Sequence, residues 1–275
     1  MIEPGVTRQD TAGDPEEAAD PHAAEDPNFM TSLARGLAVI RAFSDRARSL
    51  TISDVARITG LPRAAARRCL LTLNRLGYVG TDGRSFFLTP QILSLGYSYL
   101  SSAPLATTVQ PTLERISTAL QESSSAAVLS EDEVVYIARS ATKRIMSVAL
   151  NVGSRLPAYC TSMGRVLLAA LPPDRLAEYL DRVVPRPHTA RTITDRDRLR
   201  AEIEAVRECG YALVDQELEI GLLSVAVPLR NAGGTVIAAI NVSAQAGRIG
   251  AAELRERHLP VLLAAAEETR PLLRP

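Results

Sequence analysis

Arg63, Arg67 and Arg68 follow the run Thr59-Gly60-Leu61-Pro62 at helical spacing. Guanidinium groups so placed can pair with phosphate oxygens or, two-pronged, with guanine edges. Ala64 and Ala65 between them are small enough to allow close approach to a groove, so Arg63 to Arg67 are expected to meet bases. Arg68 and Arg75 are expected to clamp phosphates, and Arg84 to reach an adjoining phosphate or the minor groove. The bland alternative for all of them is a solvated, charged helix face. A second constellation offers different chemistry. Thr161, Ser162, Met163 and Gly164 fall where a helix should start, and the free amides and positive dipole end there suit a small anion; an ordinary N-cap is the alternative. Asn241 and Ser243 alternate on one strand, so their polar groups share a face while Ile240 and Val242 take the other. Two polar groups facing a pocket make sense, whereas two facing a dry core do not. Asp215 and Glu217 also share a face, where they can accept hydrogen bonds from ligand hydroxyls or simply be surface charges at a strand end.

Catalytic and metal chemistry are poorly provided for. Cys160, His188 and Asp215 could be nominated as nucleophile, base and orienting acid, but they sit in no nucleophile-elbow or cysteine-protease signature. His22, His188 and His258 are isolated, without HxxxH or HExxH spacing. Cys69, Cys160 and Cys209 are odd in number and far apart, which leaves reduced core or pocket thiols rather than a disulfide framework. No catalytic residue, metal or cofactor is expected.

The elements that must position the arginines are legible. Leu33, Leu37, Ile40 and Phe43 mark one buried stripe of a first helix. Thr51 and Asp54 fit a capping box at the start of a second helix, with Ile52, Val55, Ala56 and Ile58 as its apolar face and Gly60 as its end. Pro62 suits the first turn of a third helix, whose inner face is Ala66, Cys69, Leu70, Leu73 and Leu76, with Gly77 as the stop. Tyr78 to Leu88 alternates around Asp82-Gly83, as a tight hairpin does. This helix-Gly-Pro-helix-hairpin setting favours a winged helix-turn-helix over the solvated-face alternative.

Beyond it, Ile92 to Tyr99 and Leu105 to Leu120 suggest connecting helices, limited by Pro104 and Pro111, and a plausible dimer seam. The remaining half mixes β-like runs at Ala126–Leu129, Val134–Ala138, Ile145–Leu150, Tyr211–Val214, Leu223–Leu229 and Val236–Val242 with helical stretches at Met163–Leu171, Asp174–Leu180, Asp195–Cys209 and Ala251–Thr269. That order points to an α+β domain with a mostly antiparallel sheet. The expected organisation is a disordered acidic tail (1–30), a reading head (31–90), linker and dimerisation helices (91–122) and a sensing domain (123–275).

Length and charge agree with two domains. The chain has 275 residues, of which 46% are hydrophobic, enough for two cores. Its zero net charge conceals a segregation: residues 1–30 hold eight acidic residues against Arg8, whereas 31–90 hold ten arginines against Asp45, Asp54 and Asp82. The acidic tail lacks apolar periodicity, and Met30 is an alternative start. No stretch approaches the roughly 20 apolar residues of a membrane helix, and no signal pattern follows Met1, so the chain is expected in the cytoplasm without a membrane partner.

The residues also carry a resemblance. Leu33-Ala-Arg-Gly-Leu-Ala-Val-Ile, Thr51-Ile-Ser-Asp-Val-Ala-Arg-Ile-Thr-Gly-Leu-Pro-Arg and Leu76-Gly-Tyr-Val resemble the DNA-binding domain of the IclR family. Leu156-Pro-Ala-Tyr-Cys-Thr-Ser-Met-Gly-Arg, Cys209-Gly-Tyr, Asp215-Gln-Glu, Gly221-Leu-Leu-Ser-Val-Ala-Val-Pro-Leu and Ile240-Asn-Val-Ser resemble its GAF-like effector-binding domain. Pro157-Ala-Tyr and Thr161-Ser-Met-Gly-Arg look most like the branch regulating aromatic catabolism, the protocatechuate, p-hydroxybenzoate and β-ketoadipate regulators.

The resemblance implies a homodimer or tetramer on double-stranded operator DNA, modulated by a small, aromatic organic acid. Glyoxylate, pyruvate or an acyl compound is the alternative effector, since sequence does not give pocket size. It further implies that Ser162 and Met163 touch the effector, that Ile145, Val148 and Leu156 line its cavity, and that Leu222 and Ser224 close it, with Tyr159 lending an aromatic face.

Overall fold

The computed structural model describes residues 28–44, 47–96, 104–141 and 150–273, which form two compact units divided between Tyr99 and Leu100. The predicted tail lies mostly outside the described residues, as do Ile145, Val148 and part of the expected connecting helix.

The first unit is a small three-helix head with a hairpin. Helix α1 (Thr31–Arg41) buries Val39 and packs on α3 (Arg63–Arg75), while α2 (Ile52–Thr59) buries Val55. The expected stripe on α1 is only half right: Ile40 and Phe43 pack against the core, but Leu33 and Leu37 remain exposed. At about 100° per residue they lie roughly 120° and 160° round the helix from Val39, away from α3. The capping box on α2 is present, with Thr51 Oγ1 accepting from the Asp54 amide at 3.3 Å and Asp54 Oδ2 from the Thr51 amide at 3.0 Å. Gly60 then adopts φ 67°, a left-handed conformation that ends α2 at little cost and turns the chain toward Pro62. Strands β1 (Val79–Thr81) and β2 (Phe86–Leu88) pair antiparallel. Asp82–Ser85 connects them in a turn, where the Asp82 amide donates to the Ser85 carbonyl at 3.2 Å and the Asp82 carboxylate accepts from the Arg84 and Ser85 amides.

The second unit is an antiparallel six-stranded sheet of order β5-β4-β3-β8-β7-β6 with helices on both faces. Its strands are β3 (Ser123–Ser130), β4 (Glu133–Ser140), β5 (Arg155–Pro157), β6 (Ala212–Asp215), β7 (Leu222–Arg230) and β8 (Val236–Gln245). One face packs on α4 (Pro104–Leu120) through Val109, Leu113 and Ile116, and on α8 (Leu259–Thr269). The other packs on α5 (Ser162–Ala169), α6 (Pro173–Arg182) and α7 (Arg196–Cys209). Strand β8 shows the division: Ala238, Ile240, Val242 and Ala244 join the first core, while Ala239 joins the second.

Two prolines behave differently from expectation. Pro111 lies inside α4 instead of limiting its start; it is exposed, and so is Thr107, whose carbonyl loses its amide partner and is left to water. The long helix expected over Ala251–Thr269 widens into a π turn at Leu254–His258, just before Pro260, which supplies no amide for a regular helical bond.

Candidate functional site

The head presents its arginines outward. Arg63, Arg67, Arg68, Arg75 and Arg84 are all exposed, and among the described residues none has a carboxylate within 4.0 Å. Ala64 is exposed beside them, but Ala65 points into the head and is buried, which corrects its expected place against bases. The reason is helical phase: Ala65 shares a side with Ala66, Leu70 and Leu73, whose burial holds α3 to the core. The N-terminus of α3 carries no side-chain cap and no acidic residue in its first turn, so its positive dipole end adds to the arginine charge.

The second unit holds a partly open cleft between α5 and the sheet. Its apolar walls include Tyr136, Leu150, Leu156, Met163, Val214, Leu218 and Leu222; its polar lining is Arg139, Thr161, Ser162, Ser224, Asn241 and Ser243, with the Cys160 thiol nearby. The polar side is built by strand register. Asn241 pairs with Ser125 across β8 and β3, and Ser125 with Arg139 across β3 and β4, so these side chains form a row on the cleft face. Ser224 opposite Ser243 forms the next row.

A register shift opposite Ala126/Ala127 makes Ile137 the extra residue of a bulge, so Tyr136 and Arg139, three apart, face the same side. Arg139 donates from Nη1 to Ser125 Oγ at 3.2 Å and has no carboxylate partner among the described residues. Burial pulls its pKa down, the mark of a partly desolvated cation that a bound anion would relieve. Two buried polar atoms of the lining, Ser162 Oγ and Asn241 Oδ1, also lack a hydrogen-bond partner among the described residues. Buried groups of this kind normally have partners, and both line the cleft.

The start of α5 is rigidly held. Thr161 Oγ1 accepts from the Gly164 amide at 3.3 Å, and Gly164 lies so close to the preceding loop that a Cβ there would stand 2.1 Å from the Ala158 carbonyl oxygen. Gly164 thus serves backbone packing rather than ligand contact. Replacing it with alanine is expected to lower stability by about 3 kcal/mol and to loosen the cleft, because a backbone atom must move. A urea midpoint matching the parent would contradict this.

Behind the helix start, Arg165 Nη2 and Glu217 Oε2 meet at 2.7 Å with both side chains buried, and Arg165 Nε donates to the Tyr159 carbonyl at 3.1 Å. Glu217 also accepts from the Ile193 amide at 3.2 Å. It is therefore bonded to protein rather than facing the cleft. Asp215 is likewise elsewhere, paired with Arg191 at the surface. Tyr159 stacks on His188 and exchanges hydrogen bonds with the Arg186 backbone, outside the lining.

No hydrogen bond joins Cys160, His188 and Asp215. The Cys160 thiol is pushed up to about 12 by burial, with Glu217 adding to the effect, so it stays protonated and a poor nucleophile. Among the described residues no cluster of His, Cys, Asp and Glu could hold a metal ion, and no helix is long and apolar enough to cross a membrane.

Comparison with known proteins supplies the context for both sites. Residues 32–83 match the IclR helix-turn-helix domain, and residues 97–270 match the C-terminal domain of the bacterial transcriptional regulator IclR. The chain belongs to the IclR family. Within the IclR family it is 55% identical over 244 residues to the Pca regulon regulatory protein of Pseudomonas putida, covering 88% of this chain and 84% of that protein. It is 38% identical over 263 residues to the p-hydroxybenzoate hydroxylase transcriptional activator of Acinetobacter baylyi, covering 93% and 97%. Among solved structures, it is similar to the inducer-binding domain of a double mutant of the Acinetobacter transcription factor PobR in complex with 3-hydroxybenzoic acid. The TM-score is 0.59 at 35% identity, over 62% of this chain and 100% of that one. These IclR-family relatives are transcription regulators, which sets aside the enzyme alternative.

Leu156, Thr161, Ser162, Met163, Leu222, Ser224, Asn241 and Ser243 line one cleft, whereas Tyr159, Gly164, Asp215 and Glu217 support it from outside or lie apart. Arg139 and Tyr136 were missed. The only signal for them was a bulge, which period-two alternation does not reveal.

Proposed function

We propose that this chain regulates genes of aromatic-compound catabolism, binding operator DNA through α3 and its wing and sensing a small aromatic acid in the cleft. The observation that carries the sensing half is Arg139: a half-buried guanidinium without a carboxylate partner among the described residues, facing a cleft with apolar walls. In this reading the effector carboxylate pairs with Arg139, its ring lies against Met163, Leu156 and Leu222, and ring substituents meet Ser162 and Asn241. The 3-hydroxybenzoic acid held by the PobR domain supports that class of ligand.

Residues 31–90 act as reading head, 91–122 as linker and dimer seam, and 123–275 as sensor. A cytoplasmic homodimer, or a tetramer, would set two heads on a pseudo-palindromic operator, and the effector would change their fit by favouring one spacing.

A thermal-shift panel of hydroxybenzoates, benzoate, glyoxylate, pyruvate and an acyl compound tests the effector class. A ligand at 100 times its Kd adds roughly 2.7 kcal/mol to apparent stability. A response confined to the aliphatic acids would overturn the aromatic reading.

On the DNA side, Arg67→Ala is expected to weaken operator binding by about 10- to 100-fold and relax base preference. Arg75→Ala should weaken all sequences alike and reduce the salt slope by about one. Titrations at several salt concentrations separate the two outcomes.

A further inference from the structure

Helix α3 presents a large apolar side chain among its arginines. Leu71 is 37% exposed, and at helical spacing it falls in line with Ala64, the other exposed apolar residue of that face. At about 100° per residue, Leu71 and Ala64 sit within roughly 20° of each other, opposite the buried residues Ala66 and Leu73. Arg67 lies on one side of this line, and Arg68 and Arg75 on the other. The centre of the reading face is therefore an apolar strip bordered by cations.

A guanidinium border fits phosphate and guanine, but the strip needs an apolar counterpart. The major groove presents one at its edges, the C5-methyl group of thymine, and small or aliphatic side chains read it by contact. We propose that Leu71, with Ala64, is a specificity-determining residue that reads a thymine methyl in each operator half-site. This rests on the DNA-binding function proposed above. The charge of the surrounding face commits the strip to a polyanionic partner: no acidic residue lies on the exposed side of α3, and the arginines there lack carboxylate partners among the described residues.

The test uses the full chain to select duplexes from a random pool, then replaces each thymine of the selected site singly with deoxyuridine, which removes only the methyl group. Dissociation constants are compared for the parent, Leu71→Ala and Leu76→Ala, the last removing another exposed leucine just beyond α3. Leu71 is exposed, so its truncation leaves the core intact, and equal melting temperatures verify this.

At one or two thymines per half-site, methyl loss is expected to weaken the parent and Leu76→Ala by about three- to fivefold while leaving Leu71→Ala nearly unchanged. Binding that is insensitive to every such replacement, equally sensitive in Leu71→Ala, or selected at sites without thymine would overturn the assignment. Failure of the parent to select any duplex would instead strike at the DNA-binding reading.

Discussion

Arg139→Ala is expected to abolish the response to an aromatic acid at concentrations that saturate the parent, while leaving operator affinity in the absence of effector unchanged. Among the described residues the guanidinium is the one cation of the cleft lining, and its half-buried position makes an ion pair there stronger than one at the surface. A charge-assisted, two-pronged pair with a carboxylate lost from such a site costs about 2–4 kcal/mol, or roughly 30- to 900-fold in Kd. Arg139→Lys keeps the charge but loses the planar fork and the reach to Ser125, so its affinity should fall between the two. Calorimetric titration of the three proteins with a hydroxybenzoate measures the series. Equal affinities in all three would remove Arg139 from the site.

The other large effect concerns stability. Glu217→Ala should strand the Arg165 guanidinium in the interior, where its side chain is only 3% exposed, and deprive the Ile193 amide of its acceptor. Breaking one side of a buried pair costs about 3–5 kcal/mol, because desolvation of the remaining charge is no longer offset. Arg165→Met combined with Glu217→Leu removes both charges and should regain part of that loss, since no buried charge is left unpaired and only the Ile193 amide and the Tyr159 carbonyl lose their partners. Urea unfolding of Glu217→Ala, Glu217→Leu, Arg165→Met and the double variant supplies the cycle. A single variant within about 1 kcal/mol of the parent would mean that the pair contributes little. Arg165 also bonds the Tyr159 carbonyl, so the single variants should loosen the Thr161–Ser162 wall and weaken effector binding as well.

The head was legible in the sequence because its signals are local. The Thr51/Asp54 box, Gly60 and the arginine spacing each act within a turn or two of helix, and family resemblance agreed with them. The burial of Ala65 was readable from the same wheel that buries Ala66 and Leu70. The cleft was legible only where neighbouring residues carry it, as with Thr161–Met163 and the alternating Asn241 and Ser243.

Arg139 was hidden for two reasons. Its partner Ser125 and the next residue of that row, Asn241, lie on other strands, and the bulge at Ile137 reverses the face that alternation assigns. The strand start Ser123–Ser125 was missed because three serines resemble a turn; inside the sheet, Ser124 is satisfied by the Leu113 carbonyl and the Ser117 hydroxyl. The buried pairing of Glu217, neither a ligand contact nor a surface charge, is hidden because its partner, Arg165, stands 52 residues earlier and no local pattern links the two.

The central claim is that an acid held at Arg139 alters how the arginines of α3 meet DNA. It is tested most directly by fluorescence anisotropy of the full chain on a selected operator, at one fixed salt concentration, with and without hydroxybenzoate. The account predicts a change in operator affinity of about tenfold for the parent, within the usual range of coupling between sites, and none for Arg139→Ala. Parent curves that superimpose with and without a hydroxybenzoate proven to bind would contradict it.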